Sequence, residues 1–153
     1  MKKRKKPFSQ TAYTGTQVEA EHTQEQIVKM LEQLGITHVR ITKRGSDYEV
    51  EFLVKLRNNE GQRKVRINLP VNLELEDREM NKDRKKNIMF RVLFHHLKDK
   101  FVVIQRGLKE FEEEFLADLV IISNGEERRL GDVIVPQYKA QLKGAKVAVL
   151  NIN

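Results

Sequence analysis

The sequence predicts an α+β fold in which a three-stranded antiparallel meander packs on a long central helix, with flanking helices closing the core. Apolar residues alternate with polar ones between positions 39 and 69, and they recur at helical spacing between positions 83 and 106. Shorter helical patterns lie on either side. The chain has 153 residues, the usual length for a single hydrophobic core. We expect a flexible basic tail over residues 1–20 and one folded domain over residues 21–153.

The first helical pattern follows the tail. Thr23 and Gln26 have the spacing of a capping box, so we expect the helix to begin at Thr23, and Gly35 is a typical helix stop. Apolar residues recur at intervals of three and four over this stretch: Ile27, Met30, Leu31 and Leu34. The pattern predicts a short amphipathic helix.

Three strands are predicted next, on one consistent apolar face. The alternating apolar residues are Val39 and Ile41, then Tyr48, Val50, Phe52 and Val54, then Val65, Ile67 and Leu69. A two-residue turn at Gly45-Ser46 places Val39 opposite Phe52. A four-residue turn over residues 58–61 places Phe52 opposite Ile67.

The opposite face of this sheet is predicted to be basic at one end. The same register sets Lys55 against Lys64 and places Leu53 and Arg66 in the middle of the face. Lysine and arginine side chains in such a group are typical of contacts with phosphates. Lys55, Lys64 and Arg66 are therefore candidate nucleic-acid-binding residues.

The central helix is predicted over residues 83–106, ending before Gly107. Its apolar face is formed by Phe90, Leu93, Phe94, Leu97, Phe101 and Ile104. A second helical segment starts near Phe111, and Asn124-Gly125 is a hairpin-type turn. We expect a last helix from Asp132, with Pro136 in its first turns, and a final short strand over residues 147–152.

A polar stripe is predicted on the central helix, opposite its apolar face. Its members are three or four residues apart: Arg84, Asn87, Arg91, His95 and Lys98. Over about 14 residues the stripe spans about 20 Å, enough to follow several phosphates of a nucleic-acid backbone. Arg84, Arg91 and Lys98 are candidate binding residues. The alternative is that the stripe is only the polar face that any amphipathic helix needs.

The positive charge of the chain is concentrated at the N-terminus. Of 29 lysines and arginines, five form one run, Lys2, Lys3, Arg4, Lys5 and Lys6, which leaves 24 basic residues against 22 acidic ones. A flexible basic arm gains affinity from phosphates without a defined shape, so this run is a candidate nucleic-acid contact. The alternative is a solubilising terminus. An acidic segment, Glu110–Asp118, contrasts with a basic stretch from Arg78 to Lys109.

Neither a catalytic site nor a cofactor is predicted. The sequence has no cysteine, no phosphate-cradling glycine loop and no recognisable nucleophile motif. His95 and His96 are adjacent on a helix and point about 100° apart, so they do not form a metal site together. Glu110, Glu114 and Asp118 could hold a divalent ion, although a solvated acidic face is the simpler interpretation. A non-enzymatic role is favoured.

The compartment is predicted from the absence of two signals. No window approaches the roughly 18 to 20 apolar residues that a bilayer span needs, and no apolar segment follows the basic run as in a signal peptide. We therefore expect no membrane partner and a cytoplasmic protein.

Several short motifs follow one another along the chain: Tyr13–Val18, Leu31 with Gly35, Val65–Pro70, Leu97–Gly107, Phe111–Ala117, Asn124-Gly125, Gly131-Asp132 and Pro136-Gln137. In these motifs residues 13–142 resemble a group of small proteins encoded by bacteriophages and prophages. The resemblance implies a common fold and a host cytoplasm, but no activity for individual residues. The lysine-rich start, His95-His96 and the lack of tryptophan depart from the pattern.

Two functions are expected from these observations. The first is a nucleic-acid-binding accessory protein of a phage or mobile element, which binds mainly through backbone electrostatics, with DNA and RNA both open. The alternative is a protein-interaction module that regulates or inhibits a host or phage machine through its segregated charges. Steep weakening of binding with salt would favour the first.

Overall fold

The computed structural model describes residues 13–56, 61–71 and 82–143. The elements in chain order are α1 (Ala20–Gln33), β1 (Val39–Arg44), β2 (Asp47–Lys55), β3 (Gln62–Leu69), α2 (Lys82–Gln105), α3 (Phe111–Phe115), a 3-10 turn (Leu116–Asp118), β4 (Val120–Ser123), β5 (Glu126–Arg129) and α4 (Leu130–Leu142). The predicted basic run at residues 2–6 and the predicted strand at 147–152 lie outside the described residues.

The predicted α+β architecture is confirmed. Strands β1, β2 and β3 form an antiparallel sheet in sequence order, and β4 and β5 form a separate hairpin. One face of the sheet packs on α2, as the rings of Tyr48 and Phe90 show by meeting edge to face at 5.1 Å. Phe52 contacts both Phe101 and Phe115, with ring centroids 6.3 and 6.0 Å apart. The core therefore lies between the sheet and the central helix.

The β1–β2 register is as predicted, with Val39 opposite Phe52. The β2–β3 register was predicted wrongly by two residues, because Phe52 lies opposite Val65 and not Ile67. The amide of Leu56 donates to the Gly61 carbonyl at 3.0 Å, so the pairing of β2 with β3 continues to these two residues. Since side chains alternate with a period of two, the error leaves the apolar residues on the predicted face.

Helix α1 begins at Ala20, three residues before the predicted start. Thr23 is fully buried within the helix and is not its cap. The side-chain oxygen of Asn87, on α2, accepts a hydrogen bond from the Ala20 amide at 2.8 Å. A distant side chain therefore satisfies an amide that local sequence would assign to a cap.

The turn that ends α2 and the turn between β4 and β5 follow the prediction. Gly107, with a φ of +73°, ends α2, and the amide of Leu108 returns to the Val103 carbonyl at 3.1 Å. Asn124 and Gly125 have φ values of +54° and +78° and connect Ser123 directly to Glu126. Two positive φ values in a two-residue loop are typical of a type I′ hairpin turn.

Helix α4 differs from the expectation that all flanking helices close the core. It begins at Leu130, and none of its residues is buried. Its first turn is held closely, because a Cβ on Gly131 would lie 2.9 Å from the carbonyl oxygen of Ala117. From Ile134 to Lys143 every residue is exposed. The helix is thus anchored at its N-terminal end and projects its remaining turns into solvent.

Candidate functional site

An ion-pair network covers the outer face of the sheet, opposite the core. We call it the sheet charge cluster, and its members are Arg40, Arg44, Glu49, Glu51, Lys64, Arg66 and Glu127. The strand register explains it, because Arg40, Glu51 and Arg66 stand side by side on the three strands. Oppositely charged side chains in neighbouring cross-strand positions attract one another.

Glu51 is the centre of the cluster. Its side chain is only 4% exposed. One carboxylate oxygen accepts hydrogen bonds from Nε and an Nη of Arg40, the former at 2.9 Å. The other oxygen accepts from Nε and Nη2 of Arg66 at 3.1 and 3.0 Å, with the Lys64 ammonium 3.2 Å away. A buried charge of this kind is stable only when it is paired and hydrogen-bonded, as here.

These contacts determine the ionisation of Glu51. Burial alone would raise its pKa, but hydrogen bonds from Arg40, Arg66 and Lys64 outweigh burial and lower the pKa to about 2. The pKa of Lys64 is raised, chiefly by its hydrogen bond to Glu127. Near neutral pH Glu51 and Lys64 are therefore both charged.

Strand β5 extends the cluster over the edge of β3. The Glu127 carboxylate lies 2.8 Å from Lys64 Nζ and 2.8 Å from Arg66 Nη2. Arg129 donates to the Arg66 carbonyl at 3.1 Å and pairs with Asp118 at 2.7 Å. Two of the predicted phosphate-binding cations, Lys64 and Arg66, are thus held by carboxylates of the same chain.

Lys55 lies apart from this network. It is opposite Gln62, so the predicted juxtaposition with Lys64 is wrong for the same reason as the register. Lys64 is instead opposite Leu53. The side chain of Lys55 is exposed at the end of β2. The positive charge at this end of the face is consequently less concentrated than the sequence indicated.

An open groove of about 460 Å³ on the outer face is lined in part by three members of the cluster. The lining residues come from the two positions before β1, the start of β1, the middle of β2, and β3: Thr37, His38, Val39, Arg40, Glu51, Phe52, Leu53 and Lys64. The groove combines an apolar surface with hydrogen-bond donors, a composition common in small-molecule sites.

The predicted stripe on α2 faces α1 and the segment before it. Arg84 donates to the Thr14 carbonyl at 2.8 Å, and Arg91 donates to the side-chain oxygen of Gln26 at 2.6 Å. The His95 ring stacks on Tyr13 with centroids 5.0 Å apart. Four of the five stripe residues therefore make contacts within the fold.

Lys98 completes the stripe and is exposed to solvent. Its charge and that of Arg91 add to burial, the main cause, in lowering the pKa of His95. Phosphate binding by Arg84, Arg91 and Lys98 stays a prediction.

The acidic segment Glu110–Asp118 is tied to neighbouring cations. Glu112 pairs with Arg63 at 3.1 Å, and Glu114 lies 3.4 Å from Lys100. The Glu113 carboxylate accepts a hydrogen bond from the Glu110 amide at 2.9 Å and completes a capping box. Within residues 13–56, 61–71 and 82–143, no cluster of histidines and carboxylates could hold a metal ion.

Helix α4 carries an exposed apolar face that was not among the predicted sites. Ile134 is 45% exposed, Val135 44%, Tyr138 59% and Leu142 38%. At 100° per residue these four side chains fall within an arc of about 100°. The spacing was readable in the sequence, but its exposure was not, because a core-facing helix has the same pattern.

Comparison with protein-family models, with curated proteins and with solved structures gave no match to this chain. None of the described helices combines the length and apolar character needed to cross a membrane.

Proposed function

We propose that this protein is a protein-interaction module that docks the apolar face of α4 into a groove of a partner protein. The observation that carries the proposal is the exposure of Ile134, Val135, Tyr138 and Leu142 on one side of a helix with no buried residue. Contiguous apolar surface on a folded protein commonly marks an interaction site.

The spacing of these residues fits recognition of a helix in a groove. Val135, Tyr138 and Leu142 stand at positions i, i+3 and i+7, which place successive anchors along one side of a helix. Tyr138 supplies a large apolar ring with a polar tip, a residue type enriched at interaction hot spots. The close packing of Gly131 on Ala117 fixes the helix at its base, so the face is presented at a defined angle.

The charges beside the apolar face indicate the chemistry of the partner. Lys139 lies on α4 and Lys143 caps its C-terminal end, and both are exposed. On a helix they occupy a row next to Val135. A groove with an apolar floor and an acidic rim along one side would complement both features.

The test compares affinity capture from cell extract for the wild-type chain, Tyr138→Ser and Gln137→Ser. Gln137 is also exposed on α4 but lies outside the apolar arc, so it is the matched control. We expect a specific partner to be retained by wild type and Gln137→Ser and lost with Tyr138→Ser, while all three chains melt alike. Equal retention by Tyr138→Ser would contradict the proposal.

Two other occupants of the face are separated by further measurements. If a second copy covers it, sedimentation will show a dimer that Tyr138→Ser dissociates. If residues 144–153 cover it, a chain ending at Lys143 will bind a hydrophobic dye more strongly than the full chain. Either result would refute docking to a different protein.

Nucleic-acid binding is the second candidate, and the lysine-rich run at residues 2–6 and the net charge of +7 support it. Deleting residues 2–6 should weaken binding to duplex DNA and to single-stranded RNA and flatten its salt dependence. Lys98→Ala should reduce the slope of log affinity against log salt by about one unit. Fluorescence anisotropy at low and high salt measures both effects, and no binding at low salt would exclude this function.

We also propose the biological context of either function, which is a phage or another mobile element. The resemblance to phage- and prophage-encoded proteins supports a role as an accessory factor or as a regulator of a host or phage machine. Phage infection with the gene deleted would test it, since an accessory factor should change phage yield.

A further inference from the structure

We propose that the groove on the outer sheet face binds a small organic carboxylate with an apolar body. The site is separate from α4, so the two proposals stand or fall independently. The argument rests on the side-by-side arrangement of Arg40, Leu53 and Lys64 around one open groove.

Two neighbouring cross-strand rows build the groove. Arg40, Glu51 and Arg66 form one row, as described above. In the next row Leu53 stands opposite Lys64 on β3, and its amide donates to the His38 carbonyl at 3.2 Å on the other side. An apolar residue is thus framed by polar groups on both sides, about 5 Å away across each strand gap.

Arg40 supplies the anion-binding group. It directs Nε and one terminal nitrogen to Glu51. The second terminal nitrogen makes no hydrogen bond within the part of the chain that the structure describes, and the side chain is 66% exposed. Glu51 thereby fixes the guanidinium plane, so an outer pair of N–H groups is held ready for a planar, bidentate acceptor.

The charges around the groove favour an anion. The residues that line the groove include two cations, Arg40 and Lys64, and one carboxylate, Glu51, so one positive charge is in excess. Lys55 adds another, two residues beyond Leu53 on the same face of β2. Both oxygens of Glu51 are already engaged, so they do not compete for a cationic ligand.

A carboxylate fits better than a phosphate. Lys64 and Arg66 are committed to Glu51 and Glu127, which leaves Arg40 as the cation with donors directed outward. One guanidinium edge satisfies a carboxylate, whereas a phosphate dianion needs several donors and cations. Leu53 provides an apolar surface for the rest of the molecule, beside the exposed Thr37, whose hydroxyl lies 3.2 Å from His38 Nδ1.

The experiment is a titration of the full chain with hexanoate, followed by amide chemical shifts. We expect saturable shifts for residues 38, 40, 53 and 64. Hexanamide, the neutral analogue, should bind at least about tenfold more weakly, because it lacks the charge-assisted bonds to Arg40. Acetate should also bind more weakly, since it has little apolar surface to place on Leu53.

Two matched variants assign the binding to the groove. Arg44 is 65% exposed, lies on the same strand and pairs with Glu49, so Arg44→Gln controls for the loss of one surface arginine. Arg40→Gln should weaken hexanoate binding about tenfold, while Arg44→Gln should change it by less than about twofold. If Arg40→Gln unfolds, Leu53→Ala provides the test: it should weaken hexanoate but not acetate.

Three results would overturn the proposal. They are equal affinity for hexanamide and hexanoate, tighter binding of inorganic phosphate than of hexanoate, and equal losses for Arg40→Gln and Arg44→Gln. The absence of any saturable shift in the wild-type chain would do so as well.

Discussion

Replacing Glu51 by glutamine tests the sheet charge cluster most directly. The change keeps the size of the side chain but removes the negative charge on which Arg40, Arg66 and Lys64 converge. Three cations would then face one another at the centre of the sheet, with Glu127 and Glu49 as the remaining counter-charges for Lys64 and Arg66. Breaking a buried ion pair by removing one partner is strongly destabilising.

The magnitude follows from the pKa of Glu51. Its pKa falls from an ordinary 4.5 to about 2 on folding. Since one pKa unit corresponds to about 1.4 kcal/mol, the ionised carboxylate contributes roughly 3 kcal/mol to the free energy of unfolding. We expect Glu51→Gln to cost a similar amount near neutral pH, which for a domain of this size lowers Tm by about 10 °C.

The direction of the pKa shift determines how the stability of the protein changes with pH. Because the folded pKa is depressed, the contribution is complete above the ordinary pKa of 4.5 and is lost as pH falls toward about 2. The stability gap between wild type and Glu51→Gln should therefore be constant near neutral pH and should narrow below pH 4.5. Urea denaturation of both chains over this range measures the gap.

A matched control is Glu127→Gln, in the same cluster. Glu127 contacts the same cations, Lys64 and Arg66, but is 49% exposed. An exposed pair contributes little, so Glu127→Gln should cost much less stability than Glu51→Gln. Equal costs for the two variants would refute the central role of Glu51, as would a gap that does not change between neutral and acidic pH.

Two further perturbations probe the packing. Gly131→Ala should destabilise the chain by roughly 1–3 kcal/mol, since the new Cβ would meet the Ala117 carbonyl at 2.9 Å. Faster proteolysis within α4 would reveal this loss of stability. Resistance equal to that of the wild type would show that the base of the helix adjusts to the methyl group. Phe90→Ala, Leu97→Ala and Phe101→Ala should each cost about 2–5 kcal/mol, because each side chain is buried in the core. Calorimetric scans measure these costs, and near-wild-type melting of two variants would show that α2 packs through another face.

The parts of the fold that depend on short sequence intervals could be predicted. The alternation in β1–β3 and the helical spacing in α2 are properties of neighbouring residues, as is the Asn124-Gly125 turn. Their positions agree with the structure within a few residues. The face of each strand was also predictable, since a register error of two residues keeps every side chain on its own side.

Two of the features that were missed depend on residues far apart in sequence. The start of α1 is determined by Asn87, 67 positions from Ala20. The pairing of Lys64 and Arg66 with Glu127 joins residues more than 60 positions apart. No local pattern contains this information, so cations that look available in the sequence are already paired in the fold.

Whether a surface group is already paired within the fold decides which surface is better suited to a partner. A phosphate that binds Lys64 or Arg66 must compete with Glu51 and Glu127, so much of the new attraction replaces an existing one. Among the described residues nothing covers Tyr138 and its apolar neighbours, so docking of α4 would displace water from them, and each buried Å² of apolar surface would contribute about 25 cal/mol. Substituting Tyr138 should therefore affect a partner's affinity more than neutralising Lys64, and a partner whose affinity depended mainly on Lys64 would reverse this ranking.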